Sequence, residues 1–376
     1  MAQKTDNQRT AIEAYNENAM AYRSPYERWK EAEGLPTIRG LSVPSLIDVE
    51  LTQWVSRGGS GIFVNLMGTD GFNDTYICEI PPGKSLNPIK HIYEETVFII
   101  KGRGATSVWL DGGEKQTFEW GERSYFAMPP NANYQHHNGS GTEPARYVAM
   151  TAAPRVIDTF KSLEFVFNNP FVFEDRFDGK AGYFTQADAP NANGGWTTNF
   201  IADVDTSSKI ADVKGGNEGR GAGSIGTGFN MVNSTVRSHA SSWPVGTYKK
   251  AHRHGPGIHI VLLRGEGYSL MWKEGEDVQK VPWKPGTMFV PPEMWFHQHF
   301  NTGAEPCLFL AIGWGSEKPK AGGKAYVYTS VKLGGDQIEY EDEDPQIHTD
   351  FEAAVARSGA QCQMGGIHPF CTYKSA

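Results

Sequence analysis

Cysteine is scarce in this 376-residue chain: Cys78, Cys307, Cys362 and Cys371 are the four, and no two stand at CxxC spacing. That excludes a disulfide framework as the basis of the fold and points to reduced thiols, although Cys362 and Cys371 are near enough in sequence to pair or to share a metal. There is no stretch of eighteen apolar residues, so no membrane-spanning helix is expected. The opening MAQKTDNQRTAIEAYNENAMAYRSP is polar and lacks the apolar centre of a secretory leader, so a cytoplasmic protein is expected. The net charge is −8 and no run of Lys and Arg supplies a phosphate footprint, which argues against nucleic acid as a partner. Also missing are a GxSxG elbow, a P-loop and a dinucleotide fingerprint following a strand. Acyl, phosphoryl and hydride transfer by those routes are therefore disfavoured, and the glycine-rich GRGAGSIG (219–226) reads as a loop.

What is present is a duplication. Residues 246–267 read GTYKKAHRHGPGIHIVLLRGEG and are followed by VPPEMWFHQHFN; residues 83–104 read GKSLNPIKHIYEETVFIIKGRG and are followed by MPPNANYQHHN. An offset of 163 places Gly83, Gly102 and Gly104 on Gly246, Gly265 and Gly267, and an offset of 162 places Pro129, Pro130 and His137 on Pro291, Pro292 and His299. Forty-three glycines and plentiful aromatic residues suit short strands joined by tight turns. The two copies differ in their histidines. The second holds His252, His254 and His297, with Ile258 seven residues before Gly265. At the matching places the first holds Ile89, His91, Gln135 and Glu95.

These motifs resemble those of the cupin superfamily, G(X)5HXH(X)3–4E(X)6G followed by a Pro with a His five residues later. The resemblance covers two stretches of roughly sixty residues. It implies an all-β fold of two tandem cupin barrels (double-stranded β-helix, jelly roll) with N-terminal and C-terminal helical extensions. The expected order is an N-terminal helical arm (1–45), a degenerate barrel (46–175), an inter-domain connection (176–227), a metal-binding barrel (228–316) and a tail with a short helix (317–376). Residues 7–32 read as one or two helices interrupted by Pro25, and 46–56 and 62–67 as strands. Residues 155–175 read as a helix or strap, and 347–358 as a helix stopped by Gly359.

Alternation along a strand puts His252 and His254 on one face, into the barrel, and the second motif brings His297 alongside. Three neutral imidazoles leave the opposite coordination positions of an ion open. Fe(II) is the expected ion, with Mn(II), Ni(II), Co(II) and Zn(II) as alternatives. Lys250 and His299 share the parity of the ligands and are candidate catalytic contacts. Tyr248, Trp272 and Trp295 are candidate cavity walls. His259 has the opposite parity and reads as structural. In the first copy, His91 and Glu95 are expected to hydrogen-bond to each other within a structural barrel.

The set AHRHGPGIHIVLLRGEG with PPEMWFHQHFN resembles the gentisate and salicylate ring-cleaving dioxygenases. That resemblance implies iron held by His252, His254 and His297, together with a chelating aromatic or enolic acid and O2. Three readings follow: a non-haem iron dioxygenase; a metal-dependent lyase, isomerase or decarboxylase that needs no O2; and a non-catalytic small-molecule-binding bicupin. The expected partners are a small-molecule substrate and further copies of the chain, as a homodimer or homotetramer. No nucleic acid and no membrane are expected.

Overall fold

The computed structural model describes residues 23–373, apart from residue 70 and residues 186–189, 191–194, 211–217, 232–233 and 314–327. The fold is mostly β, with two cupin-like domains and few helices, and each domain packs a large sheet against a three-stranded one. In the first domain the large sheet runs Thr37–Ile38, Gly59–Val64, Asp74–Ile80, Ala145–Thr151, Glu95–Lys101, Tyr125–Met128, Phe200–Ile201, and faces Asn133–Asn138, Gly104–Trp109, Gln116–Trp120. The second repeats the order: Trp196–Thr197, Ile225–Asn230, Arg237–Trp243, Cys307–Gly313, His259–Arg264, Met288–Phe289, Ser42–Val43, facing Gln279–Trp283, Gly267–Trp272, Phe296–Asn301.

The domains exchange edge strands. Ser42–Val43, ahead of the first barrel in sequence, pairs with Met288–Phe289 of the second, while Phe200–Ile201 from the connection pairs with Tyr125–Met128 of the first. Sheet edges that would template aggregation are thereby covered.

Side-chain alternation explains why Cys307–Gly313 is buried along its whole length. Cys307, Phe309 and Ala311 enter the second barrel, whereas Leu308, Leu310 and Ile312 enter a core between the two large sheets. Val148 and Met150 supply that same core from the first barrel. Both faces of the central strands are therefore apolar-packed, as in sheets covered on two sides.

The elements refine the expected bounds. Pro25 begins the helix Pro25–Glu33, with the Ser24 hydroxyl capping Glu27 N–H, because proline at the first turn lacks only an N–H that would be unpaired anyway. The part of the arm before residue 23 lies outside the described residues. The region 46–56 contains only the strand Thr52–Trp54, and the next strand begins at Gly59. Residues 155–175 carry two short helices, Ala153–Phe160 and Leu163–Asn168, and the second barrel opens at Ile225. The C-terminal helix Pro345–Arg357 is followed by Gly359 at φ +76°, a left-handed stop.

Leu310 is fully buried in the inter-sheet core. Leu310→Ala should cost about 2–5 kcal/mol, read as a lowered urea midpoint at unchanged slope; an unaltered midpoint would mean that the two sheets do not share a core.

Candidate metal centre

The backbone fixes the equivalence of the halves. Gly104 and Thr106 pair with Asn138 and His136, and Gly267 and Ser269 pair with Asn301 and His299. The offset is 163 throughout, so His136, not His137, is the counterpart of His299, and Tyr134, not Gln135, that of His297. Asn131 and Met294 confirm it: both have φ +58°, and their N–H groups donate to the carbonyls of His91 and His254. The adjacent prolines mislead by one residue, because each half keeps a Pro–Pro pair at a shifted place.

His252, His254 and His297 converge. Ring centroids lie 4.3 Å apart for His252–His297, 4.6 Å for His254–His297 and 5.9 Å for His252–His254. One ring nitrogen of each falls within 4.8 Å of the others. Each Nδ1–H has a backbone acceptor: Lys250 O at 3.0 Å, Gly255 O at 2.9 Å and Trp295 O at 3.1 Å. These bonds fix the tautomer and leave the Nε2 lone pairs for a cation. Burial, first, and the Arg220 guanidinium push all three rings toward the neutral form, His254 down to about 4. The donor set fits a divalent ion. Ile258 packs with the barrel core where a carboxylate would complete a four-residue set, so the site adds no negative charge of its own.

The inward cation is Lys249, not Lys250. Thr247 O accepts from Asn301 N and Lys249 N donates to His299 O, but the next pair is His252 with His297. Three steps on one strand thus face two on the other, a bulge that reverses the parity read from sequence. Lys250 turns out to the tail, 2.5 Å from a Glu339 carboxylate oxygen. Lys249 is buried, its Nζ 2.6 Å from Ser241 Oγ and 4.5 Å and 4.6 Å from the ring centroids of Trp243 and Phe309. The first barrel carries Leu86 at this position, whose N–H donates to His136 O in the same way.

The bulge also displaces Tyr248, which packs outside the barrel on Phe300 and Phe351. Trp272 stacks on Phe296, also outside, and Trp295 packs partly buried at the barrel core. His299 does enter the barrel. Its ring centroid is 5.5 Å from that of His297 and its Nδ1 is 2.8 Å from Ser269 Oγ, which accepts from Trp283 Nε1. His259 points away from the trio, on the Val261 side of its strand, with both ring nitrogens buried.

Sequence reasoning missed three residues besides Lys249. Arg220 is buried, donates to Gln337 Oε1 at 3.1 Å and lies near enough to depress proton affinity at the trio and His299. Gln337 belongs to a tail segment that pairs with His252 and caps this strand. His239 alternates with Ser241 and Trp243 on one face of Arg237–Trp243, its ring centroid 6.1 Å from that of Phe309, and desolvation holds it down at about 4. Matching the halves at one offset would have exposed Lys249 as a charge standing for a core leucine.

The first barrel is closed by its own hydrogen bonds. His91 Nε2 lies 2.9 Å from Tyr134 Oη, which donates to Glu95 at 2.7 Å, and Tyr76 donates to Glu95 at 2.9 Å. The expected contact between His91 and Glu95 runs mainly through Tyr134, the direct separation being 3.8 Å.

No family model matches the chain. Glucose-6-phosphate isomerase of Pyrococcus abyssi is 40% identical over 68 residues, and that of Thermococcus gammatolerans 34% identical over 68 residues. Each match covers 17% of this chain and 36% of the isomerase, so the chain spans about a third of the length of these curated relatives. Oxalate decarboxylase of Bacillus subtilis, in a deletion mutant, aligns at TM-score 0.47 and 13% identity over 74% of this chain and 78% of that one. A structure from work on the Mn(II) centres of that enzyme aligns at TM-score 0.47 and 14% identity over the same shares. No helix among the described residues is long and apolar enough to cross a membrane.

Two outcomes follow. His252→Ala or His297→Ala should remove one metal equivalent per chain, and His91→Ala none, by elemental analysis; full metal content in His252→Ala would place the ion elsewhere. Burial, followed by Arg220, pushes the Lys249 ammonium down to about 7, below the ordinary unfolded value near 10.4. The unfolded chain then binds more protons between those values, so stability rises with pH across that window. Lys249→Leu should raise the melting temperature at pH 7 and flatten that rise; a variant melting lower at pH 7 would contradict the assignment.

Proposed function

We propose that this chain is a metal-dependent enzyme that moves a proton on a small, anionic, oxygen-chelating substrate, as an isomerase, lyase or decarboxylase without O2. The observation that carries this is Lys249, a buried amine held near neutrality beside His299 in the barrel that has the histidine trio. An amine with its proton affinity near the working pH is suited both to taking and to returning a proton. A divalent ion held by His252, His254 and His297 supplies Lewis-acid polarisation of bound substrate oxygens when present.

The chain's own residues then divide the remaining work. Arg220 and Lys249 bring positive charge to an interior that has no carboxylate among the trio, which selects anions. Trp243, Phe289 and Phe309 surround His299 with ring centroids 6.2 Å, 5.7 Å and 5.6 Å away, an apolar wall that limits water. Ser269 holds one nitrogen of His299, leaving the other for a substrate hydroxyl. The stretch of similarity to glucose-6-phosphate isomerases supports an isomerisation that needs no O2.

Dioxygenase action is the second reading, favoured by the all-imidazole donor set with Ile258 in place of a carboxylate. Metal-loaded protein assayed under strict anaerobiosis with aldose phosphates, keto acids and small dicarboxylates decides between them. Turnover is expected without O2, with a loss of roughly 100-fold or more in Lys249→Gln at unchanged metal content. Turnover only with stoichiometric oxygen uptake, or full kcat in Lys249→Gln, would overturn the proposal.

A further inference from the structure

A second cluster of metal donors lies outside the barrel. Helix Pro345–Arg357 presents His348 and Glu352, four residues apart and so on one face. The tail then returns over that face, bringing Cys362 and Cys371. One donor atom of each of these four residues lies within 4.8 Å of all the others. Cys362 Sγ and Cys371 Sγ are 3.7 Å apart, and His348 Nε2 is 3.0 Å from Glu352 Oε1. Two thiolates at about 2.3 Å from a tetrahedral zinc are separated by about 3.8 Å, so the sulfurs stand where one ion would hold them.

The surrounding hydrogen bonds determine which His348 nitrogen is free. His368 Nδ1 accepts from Phe370 N, so its Nε2 carries the proton and donates to Glu343 at 2.8 Å. Glu343 also accepts from Gln298 Nε2 at 2.8 Å and from Tyr248 Oη at 2.5 Å. With the Tyr248 proton committed to Glu343, the partner of Tyr248 Oη at 3.0 Å, His348 Nδ1, is the donor. The Nε2 of neutral His348 therefore aims a lone pair at a carboxylate oxygen, two acceptors in contact, an arrangement a shared cation satisfies. Glu352 is steadied by Thr372 N and Oγ1, both at 3.1 Å. His348 and Cys362 are buried, and Glu352 and Cys371 half-buried.

We propose that His348, Glu352, Cys362 and Cys371 form a closed four-ligand zinc site that pins the C-terminal tail to its helix. Four protein donors, two of them thiolates, leave no position for a substrate, which is the pattern of structural zinc. The site is tied to the catalytic barrel through Tyr248, next to Lys249 in sequence, and through Glu343 to Gln298, which lies between His297 and His299. Zinc there would hold both metal-bearing strands against the tail.

The test uses the full chain purified without chelator. Elemental analysis should find zinc bound independently of the trio: Cys362→Ser with Cys371→Ser loses one zinc equivalent and keeps the trio's ion, and His252→Ala does the reverse. X-ray absorption at the zinc edge of the unaltered protein should show sulfur scattering near about 2.3 Å, which decides the matter even if the double variant fails to fold. Zinc without sulfur neighbours, zinc content unaffected by the double variant, or a Cys362–Cys371 disulfide found by mass spectrometry under non-reducing conditions would each overturn the site. None of these outcomes depends on the reaction catalysed in the barrel.

Discussion

The bulge between residues 249 and 252 is the constraint on which the site depends. Without it His252 and Lys249 could not both face inward, since residues three apart on a regular strand lie on opposite faces. The extra residue is held by defined pairs on either side, Lys249 N to His299 O and His252 N to His297 O. The matching pairs Leu86 N to His136 O and Ile89 N to Tyr134 O show the same irregularity in the first barrel. The backbone therefore offers every interior position twice, and the side chains decide which copy carries chemistry.

Those side chains pull in opposite energetic directions. In the first barrel His91, Tyr134, Glu95 and Tyr76 are linked into one buried polar set. In the second, three rings are neutral and oriented by backbone carbonyls, and an amine is buried where its sister position holds leucine. That arrangement costs folding free energy, which the inter-sheet core of Val148, Met150, Leu308, Leu310 and their neighbours offsets. The exchange of edge strands makes the closed barrel part of the scaffold of the open one.

The duplication, the mostly β architecture and the convergence of His252, His254 and His297 were legible in the sequence, because glycine spacing and strand alternation report directly on turns and faces. The inward placement of His299 and the outward one of His259 were legible for the same reason. Lys250 and Tyr248 were misplaced because alternation presumes a regular strand and the bulge leaves no local mark, and Gln135 because the shifted Pro–Pro pair set the offset one residue short. Pro25 marks a helix boundary, as its sequence suggested, because proline is disfavoured in a helix interior and suited to its first turn. Trp272 illustrates a different limit, since composition does not say on which side of a sheet an aromatic residue stacks.

The tail was the least legible part, and it bears on the site most directly. Gln337 pairs through the backbone with His252, Asp336 holds the Arg253 side chain at 3.0 Å and Glu339 holds that of Lys250, so three positions of the motif strand, two of them outward, are engaged by a segment distant in sequence. Arg220 reaches the same segment through Gln337. Because Lys250 and Arg253 are drawn outward by carboxylates, Lys249 and the histidines are left as the strand's inward groups. The acidic character of the tail is thus a positioning device: neutralising Glu339 would free Lys250 beside an interior that already carries Arg220 and Lys249, and like-charge repulsion there would act on the geometry that keeps the trio together.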